Sequence, residues 1–244
     1  MTLPAFDEAL DYAKKRTVVL PQDFYDPKNK DRHGELMTIS HLAGLSQIQA
    51  VTDDLMKALE NGETFEDWQK RALDTEGVGG LPPGRTETIF RNYMQTAYNG
   101  GRWEQFERNK KAVPYLMYSA INDARTTDIC RHRNGIIREV DDSFWNSNSP
   151  PAHHRCRSVL LALTKSQAQN RSGADTGLNQ KPPAEPMADG WGRRPLPQDQ
   201  AETLTLLLAD KLKGYPKSMW SQITDVFIGL WGKLAAFIRS LIPL

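Results

Sequence analysis

The stretch Tyr115-Leu-Met-Tyr-Ser-Ala-Ile121, which follows Pro114, is the first part of the chain that is rich in strand-forming residues. Residues 136–140 and 158–163 are two further short segments of the same kind. The sequence therefore predicts a small antiparallel sheet of three short strands, with a loop-rich site between them.

The residues before this sheet have the periodicity of helices. Apolar positions recur at helical spacing over residues 6–15, about 39–60 and about 86–107, and Thr64 with Asp67 is typical of a capping box that opens a short helix. Gly100-Gly101 in the last long helix costs about 2 kcal/mol relative to two alanines, so we expect a close packing contact there. The fold class is therefore α+β, with N-terminal helices packed on the small antiparallel sheet in one domain over residues 1–165.

The remainder of the chain differs in composition. Gln, Asn, Gly and Pro are frequent in residues 166–200, as is typical of a flexible linker. Residues 201–244 contain two helix candidates, and the second is amphipathic with a heavily apolar face. That face favours docking on a protein partner over folding back, self-pairing or lying on a membrane surface. The positions expected to contact the partner are Trp220, Phe227, Trp231 and Ile238.

Bulk composition excludes several classes of protein. The chain has 244 residues, with 31 Lys plus Arg against 30 Asp plus Glu, so the net charge of +1 gives no overall basic excess for nucleic-acid binding. Its first residues have neither the basic nor the apolar region of a signal peptide, which predicts a protein made in the cytoplasm. Two cysteines are too few for a disulfide framework.

Both cysteines and three of the five histidines lie between residues 130 and 156. Two thiolates and two imidazoles form the ligand set of a tetrahedral structural zinc site. The predicted ligands are Cys130, His132, His153 and Cys156, with His154 as an alternative. The spacing of His153 and Cys156 fits a zinc site better than that of Cys130 and His132. A reduced, buried cysteine pair and a disulfide formed only outside the cell are alternatives to zinc, and a catalytic zinc is less favoured because no glutamate adjoins these residues.

The cluster lies within a longer ordered pattern that runs Tyr118, Asp123-x-Arg125-Thr, Cys130-x4-Gly135, Asp141-Asp-Ser-Phe-Trp145 and Pro150-Pro-x-His153-x2-Cys156-Arg157. This pattern resembles the Mu-F-like phage head morphogenesis family. The upstream stretches Asn92-Tyr-Met-Gln-Thr-Ala-Tyr98-Asn-Gly-Gly101-Arg102 and Leu59-Glu-Asn-Gly62-Glu-Thr64-Phe also resemble that family, so the resemblance covers about residues 4–163. Thr127 and Ser158 stand where many members of the family have cysteines, which puts the metal in question.

Five residues of this pattern are expected to support the structure. They are Asp123, Arg125, Gly135, Trp145 and Arg157. A planar guanidinium suits a loop with several acceptors, so Arg125 is expected to pair with Asp123, Asp141 or Asp142. Trp145 is expected to fill the core beneath the sheet.

The resemblance implies a minor head protein of the virion rather than an enzyme. It implies a position inside the head near the portal, with portal or major capsid subunits as partners, and a role in head assembly and in genome packaging or delivery. Weak contact with packaged DNA would come from basic residues in the middle of the chain, although an ordinary solvated face is the favoured interpretation. These residues are Arg102, Arg108, Lys110, Lys111, Arg131, Arg133 and Arg138. The alternative function is a small metal-dependent nuclease built on His132, His153 and His154.

Overall fold

A computed structural model describes residues 6–40, 42, 44–72, 74, 78–171, 183 and 185–195. The N-terminal elements are α1 (Asp7–Lys15), β1 (Thr17–Val18), α2 (Pro21–Phe24), a 3₁₀ helix (Pro27–Arg32), β2 (Leu36–Met37), α3 (Leu45–Asn61), α4 (Phe65–Ala72) and α5 (Pro83–Asn109). The later elements are β3 (Tyr115–Ser119), α6 (Asp128–Arg131), β4 (Ile137–Glu139), α7 (Trp145–Asn148), β5 (Val159–Leu163) and α8 (Lys165–Asn170).

The predicted sheet is confirmed. Strands β4, β3 and β5 lie side by side in that order, and both pairings are antiparallel. Leu116 in the central strand is opposite Arg138 on one side and Ala162 on the other. The α+β class is therefore confirmed, with helices before the sheet in the chain.

A second, parallel pairing of β1 with β2 was not predicted. It has only two residues in each strand, Thr17 and Val18 opposite Leu36 and Met37, which is too short for a periodic signal. The start of α3 also differs from the prediction. The helix was expected to begin near residue 39, but it begins at Leu45, after Gly44 in an extended conformation.

The signals for the ends of the helices are confirmed. Gly62 ends α3 in the left-handed conformation, with φ of 63°. Thr64 then accepts a hydrogen bond from the backbone N–H of Asp67 at 3.2 Å, and its hydroxyl donates to the Asp67 carboxylate at 2.8 Å. These contacts begin α4, which buries Trp68 against α3 and α5.

Helices α1 and α5 contact each other at the glycine pair. A Cβ on Gly100 would lie 2.5 Å from the Cδ2 atom of Tyr12, and one on Gly101 would lie 2.6 Å from the carbonyl carbon of Glu8. Neither distance is tolerated between real atoms, so only glycine lets the two helices approach this closely. The close contact expected from the sequence is therefore present.

Residues 185–195 pack on the domain, although sequence analysis included them in the flexible linker. Ser149 donates its backbone N–H to Gly192 at 2.8 Å, Gly192 donates to Pro151 at 3.0 Å, and Ala188 donates to Ala152 at 3.1 Å. Composition did not indicate this packing because the bonds are made by backbone groups. We call residues 185–195 the C-terminal strap.

The linker prediction also covered residues 166–170, which belong to the short helix α8. The predicted partner-binding residues Trp220, Phe227, Trp231 and Ile238 lie outside the described residues. Within the described part of the chain, none of the helices combines the length and the apolar character needed to cross a membrane.

Candidate metal centre

Three of the predicted ligands meet behind the sheet. The ligand atoms of Cys130, His153 and Cys156 all lie within 4.8 Å of one another. The two sulfur atoms are 3.7 Å apart, and the Cys130 sulfur is 3.3 Å from Nε2 of His153. Both cysteines are buried and unbridged. The fold therefore brings two cysteines that are 26 residues apart, together with one histidine, into a single cluster.

Cys130 is positioned by the short helix α6, which begins after Thr127. The Tyr118 hydroxyl on strand β3 donates a hydrogen bond to its sulfur at 3.4 Å. The Thr127 hydroxyl lies 2.9 Å from Nε2 of His153. The thiol is therefore fixed between the central strand of the sheet and the loop that carries the histidine.

His153 and Cys156 lie on a tight turn in which Arg155 has a left-handed backbone, with φ of 59°. Helix α5 holds this turn. The Asn92 side chain accepts a hydrogen bond from the backbone N–H of Arg155 at 2.7 Å, and Gln95 donates to the Ser158 carbonyl at 2.7 Å. The Arg155 guanidinium pairs with Glu87 on the same helix. One helix face therefore fixes both ligands of the turn.

Hydrogen bonding shifts the pKa values of the two thiols in opposite directions. The bond from the Cys156 thiol, followed by the one from His153, lowers the pKa of Cys130 well below its ordinary value. Donation to Cys130, together with burial, raises the pKa of Cys156. The hydrogen bond between His153 and Cys130 raises the pKa of His153. Cys130 is therefore the sulfur prepared to be a thiolate, the form that binds metal.

The distances fit a tetrahedral zinc ion. Two sulfurs bound to zinc at about 2.3 Å lie roughly 3.8 Å apart in a tetrahedron, and a sulfur and a nitrogen lie roughly 3.6 Å apart. The separations here are 3.7 Å and 3.3 Å. Nδ1 of His153 lies 2.8 Å from the His154 carbonyl and donates there, so Nε2, which faces the Cys130 sulfur, is the nitrogen that would bind the ion. These three residues therefore suit a zinc ion.

The fourth predicted ligand does not join them. Nδ1 of His132 lies 3.0 Å from the Glu185 carboxylate in the C-terminal strap. Cys130 and His132 are two residues apart at the end of α6, and residues at that spacing do not share a helix face. The alternative ligand, His154, contacts the Asn92 side chain at 2.8 Å. Within the described residues no fourth His, Cys, Asp or Glu completes the group, and a cavity of about 20 Å³ beside Cys130 has the room that one water needs.

Asp123 and Arg157 form the contact that closes the loops around the cluster. Both terminal nitrogens of Arg157 donate to the Asp123 carboxylate, at 2.6 and 2.7 Å. The bonds from Arg157 lower the pKa of Asp123 below its ordinary value. Arg125 was expected to pair with Asp123, Asp141 or Asp142, and its Nε lies 3.7 Å from the Asp123 carboxylate, in a long contact from a side chain that is 81% exposed. The backbone N–H of Arg125 also donates to Asp123, at 3.0 Å.

Gly135 and Trp145 lie on either side of β4. Gly135 has a φ of 86°, in the region that favours glycine, and donates its N–H to the Tyr118 carbonyl at 2.8 Å. Trp145 is fully buried in the same apolar cluster as both cysteines, and its indole N–H donates to the Glu139 carbonyl at 2.9 Å. The interpretation of Trp145 as a core residue agrees with this position.

Arg133 is a structural residue that sequence reasoning missed. It is 2% exposed and donates to the Asn148 side chain, the Ile129 carbonyl and the Glu185 carbonyl at 2.6 to 2.9 Å. It therefore joins α6, α7 and the C-terminal strap. No local signal distinguishes it from its exposed neighbour Arg131, because its acceptors lie up to 52 residues away.

The other basic residues do not form one cationic face. Arg138 is buried, its guanidinium 5.5 Å from the centre of the Phe144 ring, and Arg102 donates to the Leu160 carbonyl at 3.2 Å. Arg108, Lys110 and Arg131 each lie within 4.0 Å of a carboxylate. Lys111 is exposed. Most of the charge that could attract DNA is therefore compensated inside the protein.

Comparisons with known proteins identify a family over the part of the chain that carries this centre. Residues 49–161 match the family described as Phage Mu protein F like protein, so the resemblance found in the sequence is confirmed there. The chain is 24% identical over 176 residues to a capsid assembly protein F of Escherichia phage Mu, covering 64% of this chain and 40% of that protein. It is 35% identical over 106 residues to the Mu-like prophage FluMu F protein of Haemophilus influenzae, covering 43% and 26%.

The chain thus spans well under half the length of both relatives. No solved structure matches the chain. The matched region runs from within α3 to β5 and includes all three residues of the cluster.

Proposed function

Because residues 49–161 match the Phage Mu protein F-like family, we propose that this chain is a structural protein of a phage head that acts in head assembly. The similarity to a protein named for capsid assembly is the observation that carries the proposal. In the finer form of the proposal, the chain is a minor component inside the head near the portal. It contacts portal or major capsid subunits and works by binding rather than by turnover.

The geometry around the cysteines supports a binding role. Cys130, His153 and Cys156 would hold a zinc ion, and the ion would supply a covalent connection between α6 and the turn that follows Ala152. Asn92 and Gln95 keep that turn on α5, and Arg157 joins it to the loop at Asp123. The residues that surround the ion therefore act to hold loops in place.

A nuclease built on the three histidines gains no support from this geometry. His132 contacts Glu185, His154 contacts Asn92, and only His153 lies at the cysteines. Three imidazoles that do not converge cannot share a metal and a water. We therefore do not retain the nuclease as a second candidate.

The proposal is tested on intact particles of a phage that encodes this chain. Mass spectrometry of purified particles is expected to find the chain at low copy number relative to the major capsid protein. Cross-linking before digestion is expected to connect it to portal or capsid subunits. Absence of the chain from particles that package DNA normally would overturn the proposal.

The docking segment is tested separately. A chain that ends after residue 200 lacks Trp220, Phe227, Trp231 and Ile238, which we propose contact the partner subunit. We expect this shortened chain to keep the amide NMR signals of residues 6–171 but to be lost from particles. Normal incorporation of the shortened chain would place the partner contact elsewhere, on residues 1–200.

A further inference from the structure

A cleft of about 170 Å³ lies along α5, beside the turn that carries His154. Its walls come from the segment around residues 33–40, from α5 and from the C-terminal strap at Gly190 and Trp191. A cavity of roughly 150 Å³ is large enough to bind a benzene ring. The cleft therefore has room for one ring or one large side chain.

Two guanidinium groups that line this cleft have no carboxylate partner among the residues that the structure describes. Arg16 donates to the Leu36 carbonyl and, at 3.6 Å, to the Met37 sulfur, whereas Arg85 donates to the Ser40 carbonyl at 3.3 Å. The Nε of each is buried, and no described residue accepts a hydrogen bond from it. Among the described residues neither forms an ion pair. By contrast, Arg71, Arg155 and Arg157 each contact a carboxylate.

The charge of the cleft is therefore positive. Arg193 adds a third cation to its lining, and Asp189 at the exposed rim is the acidic residue in the wall. Guanidinium groups remain charged when they are buried, and a buried charge is costly unless it is paired. An anion that enters the cleft would supply the acceptors that Arg16 and Arg85 lack.

The remaining walls are largely apolar. Tyr12, Ile89 and Tyr93 are buried beneath the cleft, and the Trp191 ring of the strap lies beside it. A bare inorganic anion would leave these side chains without a contact. An acidic side chain next to an apolar or aromatic one matches both parts of the lining.

Backbone groups already bind another stretch of polypeptide, the turn of the strap around Gly190, at the rim of the cleft. Residues 188–192 of the strap exchange three backbone hydrogen bonds with residues 149–152 along one edge of the cleft. From these observations we propose that the cleft binds a peptide segment of a partner protein in which a glutamate or aspartate follows an apolar side chain. The carboxylate contacts Arg16 and Arg85, and the apolar group lies against Tyr12, Tyr93 and Trp191. This site binds such a peptide whether or not the chain is a virion component.

The probe is the capped dipeptide Ac-Phe-Glu-NH2, with Ac-Phe-Gln-NH2 as its neutral match. Binding to the full chain is followed by two-dimensional amide NMR spectra and by the Trp191 indole signal. We expect the glutamate peptide to bind at least about tenfold more tightly, because hydrogen bonds to a charged group are the stronger class. Equal binding of the two peptides, or no binding of either at millimolar concentration, overturns the proposal.

Arg85→Gln tests the protein side of the contact. We expect it to remove at least about tenfold of the affinity for the glutamate peptide and to leave that for the glutamine peptide unchanged. Arg91→Gln is the matched control, because Arg91 lies on the same helix but is exposed and pairs with Glu87 outside the cleft. Similar losses in the two variants would overturn the proposal. Displacement of the peptide by an equal concentration of inorganic phosphate would also overturn the proposal, because the apolar wall would then contribute nothing to the affinity.

Discussion

Trp68 and Trp145 are both fully buried, but the structures around them are stabilised in different ways. Trp68 lies in a large apolar cluster that α1, α3, α4 and the first half of α5 build from residues at helical spacing. Trp145 lies in a smaller cluster that shares its space with two thiols and is surrounded by loops. The first half of the molecule is therefore a packed helical body, which we call the helical half, and the second is a set of loops on a small sheet, which we call the loop half.

The loop half depends on polar contacts that bridge long stretches of chain. Arg157 pairs with Asp123 across 34 residues, Arg133 reaches the strap across 52, and Asn92 holds the turn at Arg155 across 63. Such contacts are specific in geometry, but each adds little net free energy to folding. A metal ion at Cys130 would add stability that the small apolar cluster does not supply. Removing the ion should therefore destabilise the loop half more than the helical half.

The largest effect is expected from the metal. Purified chain is expected to contain one zinc per molecule, and Cys156→Ser is expected to lose it because two ligands remain. Amide hydrogen exchange should then rise in β3, β5 and residues 122–157, and change little in α3. His132→Ala is the control and should keep its zinc, because His132 contacts Glu185 instead of the cluster.

Two results would contradict this prediction. A wild-type chain without stoichiometric zinc would leave Cys130 and Cys156 as a reduced, hydrogen-bonded pair. Faster exchange in α3 as well as in the loops would mean that the two halves unfold as one unit, and the comparison between them would fail.

The two tryptophans give the next largest effect. Truncation of a buried tryptophan to alanine costs about 3–5 kcal/mol of unfolding free energy, and we expect a loss in that range for both Trp68→Ala and Trp145→Ala in urea titrations. Only Trp145→Ala should also weaken zinc binding, because Trp145 packs in the cluster that contains both cysteines. Equal weakening of zinc binding by Trp68→Ala would show that the helical half supports the centre directly.

The same contrast explains what the sequence could predict. The elements of the helical half follow from local signals, such as the Thr64–Asp67 capping box and the glycine pair at 100 and 101. The three strands also follow from composition. The start of α3 did not, because Ile39 and Leu42 are buried and continue the helical spacing although they lie before the helix.

In the candidate site, the sequence predicts which residues form the cluster better than it predicts the contacts of the residues around it. Cys130, His153 and Cys156 meet as the sequence suggested, since their crowding in the chain is itself unusual. His132 was grouped with them on proximity in sequence, although a two-residue step on a helical turn separates side chains. Arg125 pairs with Asp123 as predicted, but the shorter, two-bonded contact with Asp123 comes from Arg157, because hydrogen-bond partners across a loop depend on the closed structure.

A smaller effect is expected at the contact between α1 and α5. Gly101→Ala places a methyl group against the backbone of Glu8 and Ala9. Overpacking of this kind costs about 1–3 kcal/mol, and the better helix propensity of alanine offsets up to about 1 kcal/mol of it. We expect a net loss of stability in thermal unfolding with unchanged zinc content. Gly84→Ala is the control, because a Cβ there meets no atom within 4 Å. A stabilised Gly101→Ala chain would mean that the helices are further apart than described.

The smallest effect is expected from Asp123→Asn, and its sign depends on pH. The pKa of Asp123 is lowered in the folded protein by Arg157, so the ionised carboxylate stabilises the fold. This contribution is fully present above the ordinary pKa of about 3.9 and is lost as pH falls through the lowered folded value. The variant should therefore melt slightly below the wild type at pH 7, and the gap should close under acid. The pair is partly exposed, so the gap should also shrink in high salt.

A difference in melting temperature that persists in acid would mean that the amide disturbs the backbone turn at Arg125 and Thr126. The bidentate pair would then not be the contact that holds the loops closed.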